Sequence, residues 1–269
     1  MKLLSWNVRG LGRPRMVNRL RNKLQVLNPR ILFLIETKLS SKRMEMVRLK
    51  CGYYNGIDIG AVGSRGGLSL GWNGNDLVSI RSYSSSHVDE IILDPDNGVE
   101  WRLTGFYGSL DERYRWASWD LLLNLGHDQS MRWLVIGDFN EILSSFEKKG
   151  GRLKSARQMA EFRSTLEDCL LYDVSYTSRW FTWERGWFLS SNLRERLDRG
   201  VATPNWLHHF LDFSLEHLSH SFSDHYPLLL NTMGKMRHKE NRLALLFRFE
   251  AKWCLDDSFE EVVQRRWTE

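Results

Sequence analysis

The chain has 269 residues, 42% hydrophobic and 26% charged, which suits a globular fold with a sizeable core and excludes a disordered or fibrous chain. Its net charge of +5 is uneven: residues 1–50 carry thirteen Lys and Arg against Glu36 and Glu45 alone, a balance of +11 that leaves −6 for residues 51–269. Three widely spaced cysteines, Cys51, Cys169 and Cys254, exclude a disulfide framework and a paired-cysteine zinc site, and no apolar run approaches the ~20 residues of a membrane span. Met1 leads straight into a strand-like segment rather than a signal core, so the expectation is a soluble, intracellular chain in a reducing compartment, with no membrane partner. Apolar runs at 2–8 and 31–35 flank a stretch where Met16, Leu20, Leu24 and Leu27 recur at helical spacing, predicting strand, helix, strand. Strand-like runs follow at 68–72, 77–83, 88–93, 100–107 and 133–137, broken by turns such as Asp96-Asn97-Gly98, and their succession predicts antiparallel meanders. Helical patterns cover 112–125 and 156–170, and shorter strands are predicted at 180–183, 196–201, 213–218 and 227–231. The mixture predicts an α/β fold of two packed sheets with helices on the outer faces. In this reading residues 1–233 form the body and 234–242 a basic linker. Residues 243–269, with Phe247, Phe249 and Trp253, form an amphipathic tail, a C-terminal helix docked on the body being the alternative.

Polar residues stand at the ends of four predicted strands: Asn7, Glu36, Tyr107, and Asp138 with Asn140. Strand ends are where a rigid sheet holds side chains convergent on a cleft. Each has a structural alternative: Asn7 as a cap or turn residue, Glu36 as a surface carboxylate, Tyr107 as a rim aromatic. Asp138 and Asn140 are two residues apart, which on a strand puts both side chains on one face, a geometry for holding a water or a metal. Farther on, Asp198 lies in Arg196-Leu197-Asp198-Arg199 and His225 in Ser223-Asp224-His225, so a carboxylate is available to orient the imidazole and keep it charged. The other seven histidines lack such a setting and are read as surface or packing residues. The basic first fifth points to a polyanion such as nucleic acid, with a solvated helix face as the alternative.

The ordered set Trp6-Asn7-Val8, Ile35-Glu36-Thr37, Gly105-Phe106-Tyr107-Gly108, Gly137-Asp138-Phe139-Asn140, Arg196-Leu197-Asp198-Arg199 and Ser223-Asp224-His225 resembles the endonuclease/exonuclease/phosphatase superfamily, which includes apurinic endonucleases and deoxyribonuclease I. More narrowly, the Trp6 to Gly12 opening, Phe181-Thr182-Trp183 and the tail around Phe247 to Trp253 resemble plant LINE-type (non-LTR) retrotransposon polyproteins. The resemblance covers residues 1–231, and the tail resembles the connector toward a reverse transcriptase that this chain does not contain. It implies a four-layer α/β/β/α sandwich of two mainly antiparallel mixed sheets, with the site at one edge, and a divalent-cation-dependent phosphodiesterase.

Carried over residue by residue, the resemblance makes Glu36 a metal ligand, with Asn7 placing the metal or Asp138, and Asp224 a metal-linked acid. Asp138 with Asn140 positions and deprotonates the attacking water. His225, oriented by Asp198, faces the scissile phosphate, and Tyr107 supports the phosphate or leaving oxygen. Mg2+ is the implied cofactor, with Mn2+ as an alternative. DNA is the implied partner, nicked on one strand, and a nuclear location follows from that substrate. Arg9, Arg13, Arg15 and Arg19, with Arg21 and Lys23, are read as a grip on the DNA backbone. Trp180, Trp183 and Trp187 are read as packing residues, with stacking on a base as the alternative. Two departures stand out: Arg9 occupies a position where apurinic endonucleases usually have an acid, and Leu110 one where a polar residue is common. Two other readings compete: a phosphatase of inositol phosphates or lipids, and a degenerate domain that binds nucleic acid without cleaving it.

Overall fold

In the segment Lys2–Asn7 successive side chains point to opposite faces, Leu3 into one apolar cluster and Leu4 and Trp6 into another. Ile31–Ile35 repeats the split, with Ile31, Phe33 and Ile35 on the first side and Leu32 and Leu34 on the second. A strand that is apolar on both faces belongs between layers. The computed structural model describes residues 1–128, 130–186, 192–219 and 222–234. Of the expected linker only Gly234 falls among them, and the expected tail, Trp187, His220 and Cys254 lie outside the described residues.

One sheet has seven strands in the spatial order Tyr176–Ser178, Ser214–His217, Leu228–Asn231, Lys2–Asn7, Ile31–Ile35, Leu68–Trp72 and Asn55–Ile59. The other has six, in the order Tyr172–Asp173, Asp198–Ala202, Trp133–Asp138, Val99–Tyr107, His87–Asp94 and Val78–Tyr83. Leu3, Phe33, Leu68 and Leu70 from the first meet Val88, Ile92, Leu103, Leu134 and Ile136 from the second in the central core. On the outer side of the first sheet, Leu20 and Leu24 of helix Pro14–Leu27 and Met44 of helix Ser41–Lys50 pack on Leu4, Trp6, Leu32 and Leu34. On the outer side of the second, Trp119 and Leu122 of helix Arg115–Gly126 and Phe162 and Leu166 of helix Ala156–Asp168 pack on Phe106, Trp133, Val135 and Val201. The result is the expected α/β/β/α sandwich. A small third sheet joins Lys148–Lys149, Leu193–Glu195 and Trp183–Arg185.

The meander expectation holds for Val78–Tyr83, His87–Asp94 and Val99–Tyr107, which pair antiparallel in succession. It fails on either side. Leu68–Trp72 pairs with Ile31–Ile35 in the opposite sheet, because Leu68 and Leu70 bury against the core from that side. Val99–Tyr107 pairs parallel with Trp133–Asp138, the intervening helix providing the crossover that a parallel pair requires. Helix Ser41–Lys50 and strand Asn55–Ile59 carry too little apolar periodicity to be read from sequence. They are tied instead by Arg48, buried, whose Nε donates to Asp58 at 2.9 Å and whose Nη1 donates to the Tyr53 carbonyl.

Glu90 breaks the pattern of the core. It lies between Val88 and Ile92 in the His87–Asp94 strand, with no exposure, and neither carboxylate oxygen has a hydrogen-bond partner. Burial first, and the neighbouring Asp89 second, push its pKa well above the usual carboxylate range. Held neutral, the carboxyl lets the fold keep its full stability below the unfolded carboxyl range and lose it as pH rises toward the raised folded value. Glu90→Leu is expected to stabilise the chain by about 1–3 kcal/mol near neutral pH, the cost of an unsatisfied buried polar group. The gap to wild type is expected to widen as pH rises from about 4.3. Urea unfolding across that range checks both, and a gap constant with pH would mean that the carboxyl reaches water.

Candidate active site

At one edge of the sandwich the inward faces of the strands change from apolar to polar. Asn7 continues the inward row of Leu3, and Asp138 that of Leu134 and Ile136. Asp198 starts the strand whose Ala202 is in the core, and Tyr107 ends the strand of Leu103. Sheet register sets three of these side by side, Asp138 opposite Asp198 on one flank and Tyr107 on the other. Glu36 follows directly on Ile31–Ile35, its φ of 53° turning the chain over the sheet edge. His225 lies three residues before Leu228–Asn231, its backbone bridged to Trp183.

Three side-chain hydrogen bonds cross from one sheet to the other at this edge. Asn7 Nδ2 donates to Asp138 Oδ2 at 2.8 Å, Tyr107 Oη donates to Glu36 Oε1 at 2.8 Å, and His225 Nδ1 lies 2.8 Å from Asp198 Oδ2. Asp138, fully buried, also accepts the Asn140 backbone N–H at 2.9 Å, and His225 Nδ1 lies 3.8 Å from its Oδ2. Burial and then the charge of Asp198 raise the Asp138 carboxyl to about 7, against the lowering pull of His225 and Asn7. Burial alone would depress His225, but Asp198 and Asp138 raise it to about 9, so the imidazolium is the favoured form beside two carboxylates.

Surrounding groups fix these positions. Ser223 Oγ donates to the Asn7 carbonyl and accepts the His225 N–H, and Trp6 Nε1 donates to the His225 carbonyl. Asp198 N–H donates to Thr182 Oγ1 at 2.8 Å. Around Asp198, buried Arg196 and Arg199 both clamp Glu147, at 2.9 and 2.7 Å. Burial would raise Glu147, but the two guanidinium groups lower it to about 2.

Glu36 carries a second set of contacts. Its Oε1 is 3.6 Å from Arg9 Nη1 and its Oε2 3.2 Å from Lys38 Nζ. Burial would raise this carboxyl, yet the Tyr107 hydroxyl, Arg9 and Lys38 together lower it. Arg9 Nε is also 3.1 Å from Asp224 Oδ1, and Trp183 Nε1 donates to Asp224 Oδ2 at 3.0 Å. Asp224 Oδ1 lies 4.0 Å from His225 Nε2. One guanidinium therefore sits between two carboxylates, which marks a place where positive charge is favoured. Hard oxygen donors of this kind suit Mg2+ or Mn2+ rather than a soft metal. Asp138, Asp198 and His225 also offer ligand atoms within 4.8 Å of one another. Those atoms are paired with one another and with Asn7 and Asn140, whereas Glu36 and Asp224 are paired with the cationic side chain of Arg9.

The structure thus brings Asn7, Glu36, Tyr107, Asp138, Asn140, Asp198, Asp224 and His225 together and redistributes their details. Both amide atoms of Asn7 are used, Nδ2 on Asp138 and Oδ1 on the Arg9 N–H, so Asn7 holds Asp138. Tyr107 faces Glu36. The strand ends at Asp138, so the expected shared face with Asn140 does not extend that far. Asn140 instead adopts φ 55° and donates its Nδ2 to the Gly108 carbonyl, bracing the turn. Arg9 enters the acidic cluster, whereas Arg13, exposed, immediately precedes the helix Pro14–Leu27 without a side-chain capping bond, and Arg15 lies exposed in its first turn. Arg19 is half-buried one turn on, Arg21 is exposed, and Lys23 lies over the Trp6 ring and donates to the Ser219 carbonyl. Trp180 is half exposed and donates to the Phe146 carbonyl. Leu110 is exposed. The sequence reading missed Lys38, Thr182 and Ser223 as site residues. Their only signals are Lys38 two residues after Glu36 and the Ser-x-His spacing.

Residues 4–225 match the profile of the Endonuclease/Exonuclease/phosphatase family. Among solved structures, the chain is similar to a 3'-5' exonuclease (NExo) from Neisseria meningitidis, at 17% identity, TM-score 0.67, over 86% of this chain and 99% of that one. It is similar to an AP endonuclease from Archaeoglobus fulgidus at 18% identity, TM-score 0.64, over 86% and 98%. The endonuclease domain of TRAS1, a telomere-specific non-LTR retrotransposon, shares 14% identity, TM-score 0.61, over 86% and 97%. At these identities the likeness is one of fold. No curated protein sequence matches the chain.

The Asn7 to Asp138 bond joins the two sheets through a buried carboxyl. Asn7→Ala is therefore expected to cost about 1.5–3 kcal/mol in urea unfolding, the range for a hydrogen bond to a charged group. A loss below about 0.5 kcal/mol would show that the carboxyl finds another donor.

Proposed function

The chain belongs to the endonuclease/exonuclease/phosphatase family, and on that premise we propose that it is a divalent-cation-dependent phosphodiester hydrolase that nicks one strand of duplex DNA. The observation that carries this reading is the joining of Asp138, His225 with Asp198, and Glu36 with Tyr107 at one sheet edge by three cross-sheet contacts. Hydrolysis of a phosphodiester requires a proton acceptor for the attacking water and positive charge for the phosphoryl oxygens. Asp138 takes the water proton on its carboxylate, its orientation set by Asn7 and the Asn140 N–H. His225 engages Asp198 through Nδ1 and directs Nε2, carrying a proton, at a phosphoryl oxygen. Tyr107 holds Glu36 in place through its hydroxyl. Held by Glu36 and Asp224, Mg2+ or Mn2+ would supply further neutralisation of the negative charge that builds on the phosphoryl oxygens and on the leaving oxygen as its bond to phosphorus breaks. Arg13 and Arg15, at the start of the helix that follows the Asn7 turn, contact the backbone phosphates without reading bases. The sequence likeness to retrotransposon polyproteins and the basic first fifth favour a target-cleaving module, and a genomic DNA target implies action in the nucleus.

Nicking of supercoiled plasmid tests the proposal. Wild-type chain with Mg2+ is expected to give open circles, and EDTA, Asp138→Ala or His225→Ala to lower the rate by at least about 100-fold. Turnover of small phosphomonoesters in place of plasmid would favour the phosphatase reading. Binding that weakens steeply with salt, without nicking under Mg2+ or Mn2+, would favour a nucleic-acid-binding remnant.

A further inference from the structure

Arg9 is the least expected member of the cluster. Its guanidinium spans Asp224 at 3.1 Å and Glu36 at 3.6 Å, while about a third of its side chain is exposed. Its backbone is held separately: the residue adopts φ 50°, and its N–H donates to Asn7 Oδ1 at 3.1 Å. The side chain can therefore turn out to solvent without moving the strand end that carries Asn7. Lys38, on the far oxygen of Glu36, stays behind as a partial counter-charge.

A guanidinium and a divalent ion cannot share the Glu36 and Asp224 carboxylates, because like charges at contact distance in a partly buried site repel strongly. A DNA phosphate at the mouth of the cleft offers Arg9 an equivalent, bidentate partner. We propose that Arg9 is a displaceable internal cation: it holds the Glu36 and Asp224 carboxylates in the ion-free chain, and cedes them to a divalent ion when a DNA phosphate draws it outward. Ion and DNA then bind cooperatively, each raising the affinity for the other by the same factor. The inference rests on the divalent-ion part of the proposed function and is independent of whether turnover follows.

The test is Mn2+ affinity, read from the electron paramagnetic resonance of free Mn2+, for the full wild-type chain, Arg9→Met and Arg9→Lys, each checked for folding by thermal melting. Without DNA, Arg9→Met is expected to bind Mn2+ about 10-fold more tightly than wild type, and Arg9→Lys, which keeps a charge, to stay within about 3-fold of wild type. In parallel, the affinity for a cleavage-resistant phosphorothioate duplex is read by fluorescence anisotropy with Mn2+ and with EDTA. Mn2+ is expected to tighten DNA binding about 10-fold in wild type and by less than about 3-fold in Arg9→Met. Equal Mn2+ affinity in wild type and Arg9→Met, or equal coupling, overturns the inference while leaving the divalent-ion reading in place. Absence of Mn2+ binding in all three proteins overturns both. If Arg9→Met does not fold, Arg9→Gln takes its place under the same criteria.

Discussion

The hydrogen bond from Asn7 to the buried Asp138 carboxylate is where the two halves of this molecule meet. The sheets are held over most of their length by non-directional apolar packing, with Phe33, Leu70, Val88, Leu103 and Ile136 in the shared layer. At one edge that layer ends in carboxylates, and a buried carboxylate is tolerable only if it is paired and hydrogen-bonded. Partners come from the opposite sheet in each case: Asn7 for Asp138, His225 for Asp198, Tyr107 for Glu36. The need to satisfy buried charge thus fixes the relative position of the sheets at this edge more tightly than the hydrophobic core could. The same fixation gives the cluster the preorganisation that charge-stabilising chemistry depends on.

The carboxylates gathered at this edge are treated differently by their surroundings. Asp138 and Asp198 flank one imidazole, so burial and mutual repulsion raise the Asp138 carboxyl. Glu36 is also buried but meets Arg9, Lys38 and the Tyr107 hydroxyl, and is lowered. Acids of one chemical type are thereby shifted in opposite directions by their neighbours alone. Glu147, clamped by Arg196 and Arg199, extends the same logic one layer outward, anchoring the strand that presents Asp198.

Much of the fold could be read from alternation. Leu3 against Leu4, Phe33 against Leu34 and Leu134 against Val135 announce strands buried on both faces, and such strands demand a layer on each side. Periodicity was silent where ionic pairing replaces apolar contact, as in the helix held by Arg48 and Asp58. It misassigned Leu68–Trp72 because adjacency in sequence does not decide which sheet a strand joins. Gly234 is the last residue described, so the sequence expectations for the tail stand apart from this comparison.

The sequence by itself determined which polar residues stand at the sheet edge, because polar side chains placed after apolar strands are visible in one dimension: Asn7, Glu36, Tyr107, Asp138, Asp198 and His225 lie together there. Only the tertiary structure decided which residue serves which. Arg9 and Asp224 are 215 positions apart in the chain and 3.1 Å apart in space, and nothing local to either announces the pairing. Strand ends follow from short-range steric and hydrophobic patterning, whereas electrostatic partners at the edge of a sandwich are chosen by sheet order and register, which arise when distant segments pack.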